Sequence, residues 1–325
     1  MADVEEEAVV GEEEGLEEEE ALGEEEQHGE EEEKEEEEEE KDPDMPLNEE
    51  VIAESLSLLC KTGDGLAHAY VRLDVHERDI SCLNSLTHLL TLKADNNKLI
   101  SAKLDELPYL QVASFSNNRI KTTEGINHPL LEQLCLNFNE LTLVDGLDPN
   151  KLSRLHTLEL RGNKLTSTAG ICLPNLKNLF MAANQITKLE GLDQLEHLAT
   201  LHLRDNQLEN LDGFSENMKN LQYINLRGNN ITDMKQIKKL MVLPLLRAVA
   251  LSDNPIADED DYRMEVLIAL RRIERLDKDE YTDEERQEAQ DTYETRRQEE
   301  LAAAAVEQPE EVAGSENEVV VEDES

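Results

Sequence analysis

An asparagine that returns every 21 to 25 residues, inside a fixed frame of aliphatic side chains, constrains this chain more than any other feature. The stretch from Leu198 to Leu208, LATLHLRDNQL, states the frame most cleanly: Leu198, Leu201, Leu203 and Leu208 surround Asn206 in the order LxxLxLxxNxL. The frame recurs on Asn97, Asn118, Asn139, Asn163, Asn184, Asn206, Asn229 and Asn254. Five residues before these stand Leu92, Ala113, Leu134, Leu158, Leu179, Leu201, Ile224 and Val249, and three before stand Ala94, Phe115, Leu136, Leu160, Met181, Leu203, Leu226 and Leu251. No charge enters either column. Amphipathic helices would need a 3.6-residue apolar period, which this spacing does not give.

Residues five and three before the asparagine alternate along one short strand, so both point inward while their neighbours face solvent. After the strand the backbone turns away and its amides lose their ladder partners. A buried asparagine carries both donors and an acceptor and can satisfy them in its own and the neighbouring coil. One unit cannot bury its apolar edge alone, so the units must stack. The fold expected is an α/β leucine-rich repeat solenoid with a concave parallel β-sheet. Turns EGI at 124–126, DGL at 145–147, AGI at 169–171, EGL at 190–192 and DGF at 212–214 follow many of the asparagines. Units of about 22 residues leave no room for a full outer helix, so short 3₁₀ turns are expected on the convex side.

The formal charge of −45 is unevenly spread. Residues 1–50 hold 28 acids against Lys34 and Lys41, and residues 277–325 hold 19 acids against 4 bases, so the repeat block between them is nearly neutral. Three regions result: an acidic tail at 1–46, expected to be disordered because it cannot offset the entropy of ordering; a repeat domain with caps at 47–276; and a charged helix with a second acidic tail at 277–325. An anionic arm argues against direct nucleic-acid binding. The start MADVEEE carries no secretion signal, and no stretch approaches the ~20 apolar residues of a membrane span. Cys60, Cys82, Cys135 and Cys172 lie far apart without CxxC pairs, which suggests free thiols in a reducing compartment.

Helical caps are expected at both ends. After Pro46, Asn48 can cap a helix in which Ile52, Leu56 and Leu59 share a face and Gly63 ends the run. Next, YVRLDVHERDI fits the frame loosely: Leu73, Val75 and Ile80 hold the apolar columns, but Arg78 stands at the asparagine position only 19 residues before Asn97. Beyond Pro255, Tyr262, Val266, Leu267 and Leu270 define a closing helix, and the acids at 258–261 complement its dipole. Thr282 and Glu285 form a capping box for a second helix reaching about Val306. That helix has no continuous apolar face and is expected to project from the domain.

No phosphate loop, nucleophile elbow or zinc motif is present, and the eight histidines lack ligand spacing. No catalytic residue, cofactor, metal or small-molecule substrate is therefore expected, and an enzyme is not. What remains is surface. One outward ladder of the sheet reads Asp95, Ser116, Asn137, Arg161, Ala182, Arg204, Arg227, Ser252, and adjoining ladders offer Phe180, His202 and Tyr223. Arginine beside aromatics is the composition of binding hot spots. The candidate partner-binding face is therefore Arg161, Phe180, His202, Arg204, Tyr223 and Arg227; the alternative is that the arginines pair with Glu159 or Asp205 and merely keep the face soluble.

The 22-residue frame with EGL and DGL turns resembles the repeat subclass of phosphatase regulators and axonemal proteins, and NPIADEDDYRMEVLIALRRIERLDKDEY resembles its C-terminal cap. More specifically, SLSLLCKTGDGLAHAYVRLDV at 55–75, LTHLLTLKAD at 86–95, LDELPYLQVASF at 104–115 and LHLRDNQL at 201–208 are similar to a family of axonemal, radial spoke-associated leucine-rich repeat proteins. The resemblance implies a non-enzymatic component of the ciliary and flagellar axoneme, with radial spoke subunits as partners and a role in sperm motility. It departs at the short junction 79–86, where family members carry an additional repeat, which implies a shortened form or a divergent member. The competing class is a soluble regulator, such as an acidic nuclear histone-binding protein or a phosphatase regulatory subunit. Those proteins place the glutamate run after a shorter solenoid, and this chain has no Lys/Arg cluster resembling a nuclear import signal.

Overall fold

The structure is a computed structural model, and it describes residues 56–61, 68–74, 87–105 and 107–306. Twelve strands form one sheet in strict chain order. Strand β1 (Leu56–Lys61) pairs antiparallel with β2 (His68–Asp74). From β2 the sheet is parallel through β3 (Thr91–Lys93), β4 (Val112–Ser114), β5 (Gln133–Cys135), β6 (Thr157–Glu159), β7 (Asn178–Phe180), β8 (Thr200–His202), β9 (Tyr223–Asn225) and β10 (Ala248–Ala250). It closes with β11 (Arg275–Leu276), parallel to β10, and β12 (Asp279–Glu280), antiparallel to β11.

The register follows the sequence frame. Leu92, Ala113, Leu134, Leu158, Leu179, Leu201, Ile224 and Val249 stand opposite one another in turn, and Leu73 pairs with Leu92. Each of the columns from Leu92 to Val249 and from Ala94 to Leu251 is at most 1 % exposed, so the two inward rows make one continuous core. Burial of that many aliphatic side chains is the main favourable contribution to the fold.

The eight asparagines tie the coils together. Asn163 Nδ2 donates to the Leu160 carbonyl of its own coil (3.0 Å) and the Leu136 carbonyl of the coil before (2.9 Å), while its Oδ1 accepts the Leu141 N–H at 3.1 Å. The same three bonds recur at Asn118, Asn139, Asn184, Asn206, Asn229 and Asn254. In front of every ladder asparagine stands a residue of positive φ: Asn96, Asn117, Phe138, Gly162, Ala183, Asp205, Gly228 and Asp253. That left-handed step ends the strand and swings the asparagine inward. A second line of bonds runs on the other side of the core, where buried Thr168 donates to the Glu190 carbonyl (2.8 Å) and accepts the Glu190 N–H (2.7 Å). Gly170 sits on this side at φ +86, and a side chain there would strike the Val144 carbonyl oxygen.

Short 3₁₀ turns follow at Leu192–Gln194, Lys239–Val242 and Pro255–Asp258. The 25-residue interval between Asn229 and Asn254 admits one five-residue helix, α1 (Met234–Lys238), capped by Asp233 accepting the Lys235 N–H. The C-terminal cap contains α2 (Tyr262–Ala269) and α3 (Asp283–Val306). Asp261 occupies the N-cap position of α2 without a side-chain capping bond.

Two expectations are corrected. The N-terminal cap is not a helix where it is described: residues 56–61 form a strand. The open edge of β2 presents unpaired backbone groups, which an antiparallel strand satisfies and a helix would leave without ladder partners. The expected cap at Asn48 and Ile52, and the junction at 79–86, lie outside the described residues. Nor does α3 project over its whole length. Thr282 and Glu285 exchange the capping-box bonds (2.7 and 3.2 Å), Ala289 is buried, and Glu285 and Arg296 bond to Arg263 and Glu265 of α2. Specific polar contacts and one small buried residue dock the helix, with no apolar stripe required.

Candidate functional site

The outward residues of β7 to β11 build the site. Alternation along each three-residue strand buries Leu179, Leu201 and Ile224 and leaves Phe180, His202 and Tyr223 half-buried on the opposite face. Parallel register sets Phe180 beside His202, with ring centroids 4.7 Å apart, and His202 meets Tyr223 edge-on at 5.2 Å. Arg275 extends this row. It is opposite Ala248, which is opposite Tyr223, and its guanidinium lies 5.8 Å from the Tyr223 ring centre. Ala248 on β10, between Tyr223 and Arg275, is small enough to let the two side chains meet across it.

Arg161, Arg204 and Arg227 form the adjoining line, and the structure treats them differently. Arg161 stacks over the exposed ring of Phe138 at 5.4 Å. Gly162 makes room for that ring, since a side chain at Gly162 would collide with it. Arg204 pairs with Asp205 at 3.0 Å, and Arg227 with Asp253 at 2.6 Å. The Asp253 hydrogen bond raises the Arg227 pKa above its ordinary value. These pairs are exposed and worth roughly 0–1 kcal/mol each. Glu159 is not an arginine partner here; it accepts from Asn137 at 2.7 Å.

The six candidate residues thus divide into an aromatic row (Phe180, His202, Tyr223), two ion-paired arginines beside it (Arg204, Arg227) and Arg161 over Phe138 nearer the N-terminal end. Reading outward positions only as far as Asn254 missed Arg275. Carrying the frame one strand further, to Leu276 opposite Val249, places it in the Tyr223 ladder. Cys135 lies on the same face between Ser116 (3.0 Å) and Asn137 (3.1 Å), and burial pushes its thiol pKa up, away from a reactive thiolate. Among the described residues no group of three His, Cys, Asp or Glu side chains could hold a metal ion, and no helix is long and apolar enough to cross a membrane.

A stack of β-coils tied by buried asparagines, with a sheet face for contact and no assembled catalytic group among the described residues, defines a leucine-rich repeat protein. Residues 150–306 match the family profile described as leucine-rich repeat. The chain belongs to the leucine-rich repeat-containing protein 23 family. It is 54% identical over 269 residues to the Bos taurus member, covering 75% of this chain and 79% of that one, and 54% identical over 269 residues to the Homo sapiens member, covering 75% and 78%. The Xenopus tropicalis member is 49% identical over 283 residues, with coverage of 79% and 81%.

Proposed function

We propose that this chain is a non-enzymatic adaptor of the ciliary and flagellar axoneme, holding a protein subunit of the radial spokes against its sheet face and supporting sperm motility. The observation that carries the binding part is the continuous row Phe180, His202, Tyr223 and Arg275, flanked by Arg204 and Arg227. Rings packed against one another on a rigid sheet offer contact area at little entropic cost, and half-exposed aromatics next to arginine are the residue types on which interface energy concentrates. The axonemal setting is supported by the resemblance of residues 55–75, 86–95, 104–115 and 201–208 to the axonemal family.

The test changes Arg204→Glu together with Tyr223→Ala in the full chain and follows two readouts in ciliated cells. Loss of captured spoke subunits at unchanged chain abundance supports the sheet-face reading, and undiminished capture overturns it. Detergent fractionation tests the setting: an extraction-resistant axonemal pool supports it, whereas a freely extractable nuclear pool favours the soluble-regulator class.

A further inference from the structure

The C-terminal cap contains an open hollow of about 430 Å³ that no part of the sheet face reaches. Leu240, Leu243, Leu270 and Ile273 floor it, and Met241, Arg271 and Arg272 stand at its rim. Of the eight large apolar side chains left exposed among the described residues, three lie within five positions of sequence, Met241 (58% exposed), Val242 (37%) and Leu245 (43%), and Met241 lines the hollow. An apolar hollow of this kind, rimmed by polar groups, marks a contact surface.

The charges at the rim are two arginines. Three nearby arginines meet carboxylates, Arg263 with Glu285 (2.6 Å), Arg296 with Glu265 (2.6 Å) and Arg247 with Glu274 (2.8 Å), while Arg275 and Arg286 lie over tyrosine rings. Arg271 stacks on Tyr293 at 4.1 Å, and Arg272 makes only a long 3.5 Å contact to the Pro244 carbonyl. Among the described residues neither has a carboxylate within ion-pair distance, in a chain whose net charge is −45. The hollow therefore asks for a short apolar segment followed by acids.

The chain's own end has that composition. Residues 318–324 read EVVVEDE, three valines between Glu318 and the acids Glu322, Asp323 and Glu324. We propose that Val319, Val320 and Val321 of the same chain seat in this hollow, with Glu322 and Asp323 against Arg271 and Arg272. The reach is sufficient. From Gln290, which lines the hollow, to Val306 the helix advances ~24 Å, and the twelve residues 307–318 span up to ~40 Å when extended. Tethering places the segment at an effective concentration on the order of millimolar, so modest intrinsic affinity suffices. The N-terminal run EEAVVGEE has related composition, but in chain order it precedes β1, at the opposite end of the strand order from β12.

A benzophenone amino acid replacing Met241 in the full chain tests this. On irradiation of dilute protein, a cross-link within one molecule to residues 318–324 is expected, with a yield independent of protein concentration. Val320→Asp should lower that yield roughly tenfold or more. Arg271→Glu with Arg272→Glu should lower it roughly fivefold while the thermal midpoint holds. Cross-links to residues 1–46, to a second copy or to a co-purifying protein overturn the proposal, as does a yield indifferent to Val320→Asp.

Discussion

Asn163 donates to the carbonyl oxygen of Leu136, 27 residues earlier in the chain, at 2.9 Å. The contact joins two coils through one side chain only 6% exposed, and the same amide also serves Leu160 and Leu141. Asn163→Ala strands the Leu141 N–H away from water, at roughly 1–3 kcal/mol, while the Leu136 and Leu160 carbonyls lose one donor each and keep Asn139 and Asn184. Urea unfolding of the variant should show a loss of about 1–3 kcal/mol, and a loss well under 1 kcal/mol would remove the ladder from its structural role.

Ala183 adopts φ +53 in front of Asn184, a conformation disfavoured for alanine by roughly 1–2 kcal/mol. The equivalent positions in the first two coils are Asn96 and Asn117, whose side chains bond to each other at 3.1 Å. Ala183→Asn should therefore raise stability by about 0.5–1 kcal/mol, read as a higher urea midpoint with unchanged slope.

His128 is 1% exposed, and its Nδ1 accepts the Leu107 N–H at 3.2 Å, which leaves the proton on Nε2. Among the described residues Nε2 has no hydrogen-bond partner. Burial pushes the ring pKa from 6.5 down to about 4. A folded pKa below the unfolded one means that the unfolded chain binds the proton first, so stability is intact above pH 6.5 and drains away as pH falls towards 4. Between pH 7 and 5 the loss from this group should be about 1–2 kcal/mol. His128→Asn keeps an acceptor near the Nδ1 position and should abolish that slope; an unchanged slope would contradict the assignment.

Arg263 holds Glu285 at 2.6 Å, and this bond, helped by the Thr282 backbone N–H, draws the carboxyl pKa from 4.5 down to about 2. Because the folded pKa is the lower one, the stabilisation is present above pH 4.5 and lost as pH falls through 2. Hydrogen exchange along α3 should accelerate between pH 4.5 and 2.5, after correction for intrinsic rates, in the natural chain and much less in Glu285→Gln, which is already weakened. Equal acid sensitivity in both chains would mean that the pair does not hold the helix down.

The sequence frame located every strand from β3 to β10, because burial there repeats with a fixed local register. The outward ladders followed from the same count. Harder to see were features set by distant partners. Leu56 and Leu59 share one face of a helix as readily as they fit a strand, and only the unpaired edge of β2 decides for the strand. The docking of α3 rests on Arg263, Glu265 and Ala289, whose pairing requires α2 to lie alongside. One missed signal was legible: the column before the asparagines reads Asn, Asn, Phe, Gly, Ala, Asp, Gly, Asp, which is mostly the vocabulary of left-handed backbone.

Both extremities of the sheet reverse direction, β1 against β2 and β12 against β11. At the C-terminal margin the last strand is two residues long, Asp279 and Glu280, both solvent-facing. A second molecule approaching there meets two negative charges and almost no free backbone to pair with. Repeats that stack without limit inside the chain are thus denied end-to-end continuation between chains at that margin, which protects this architecture from growing into a fibre.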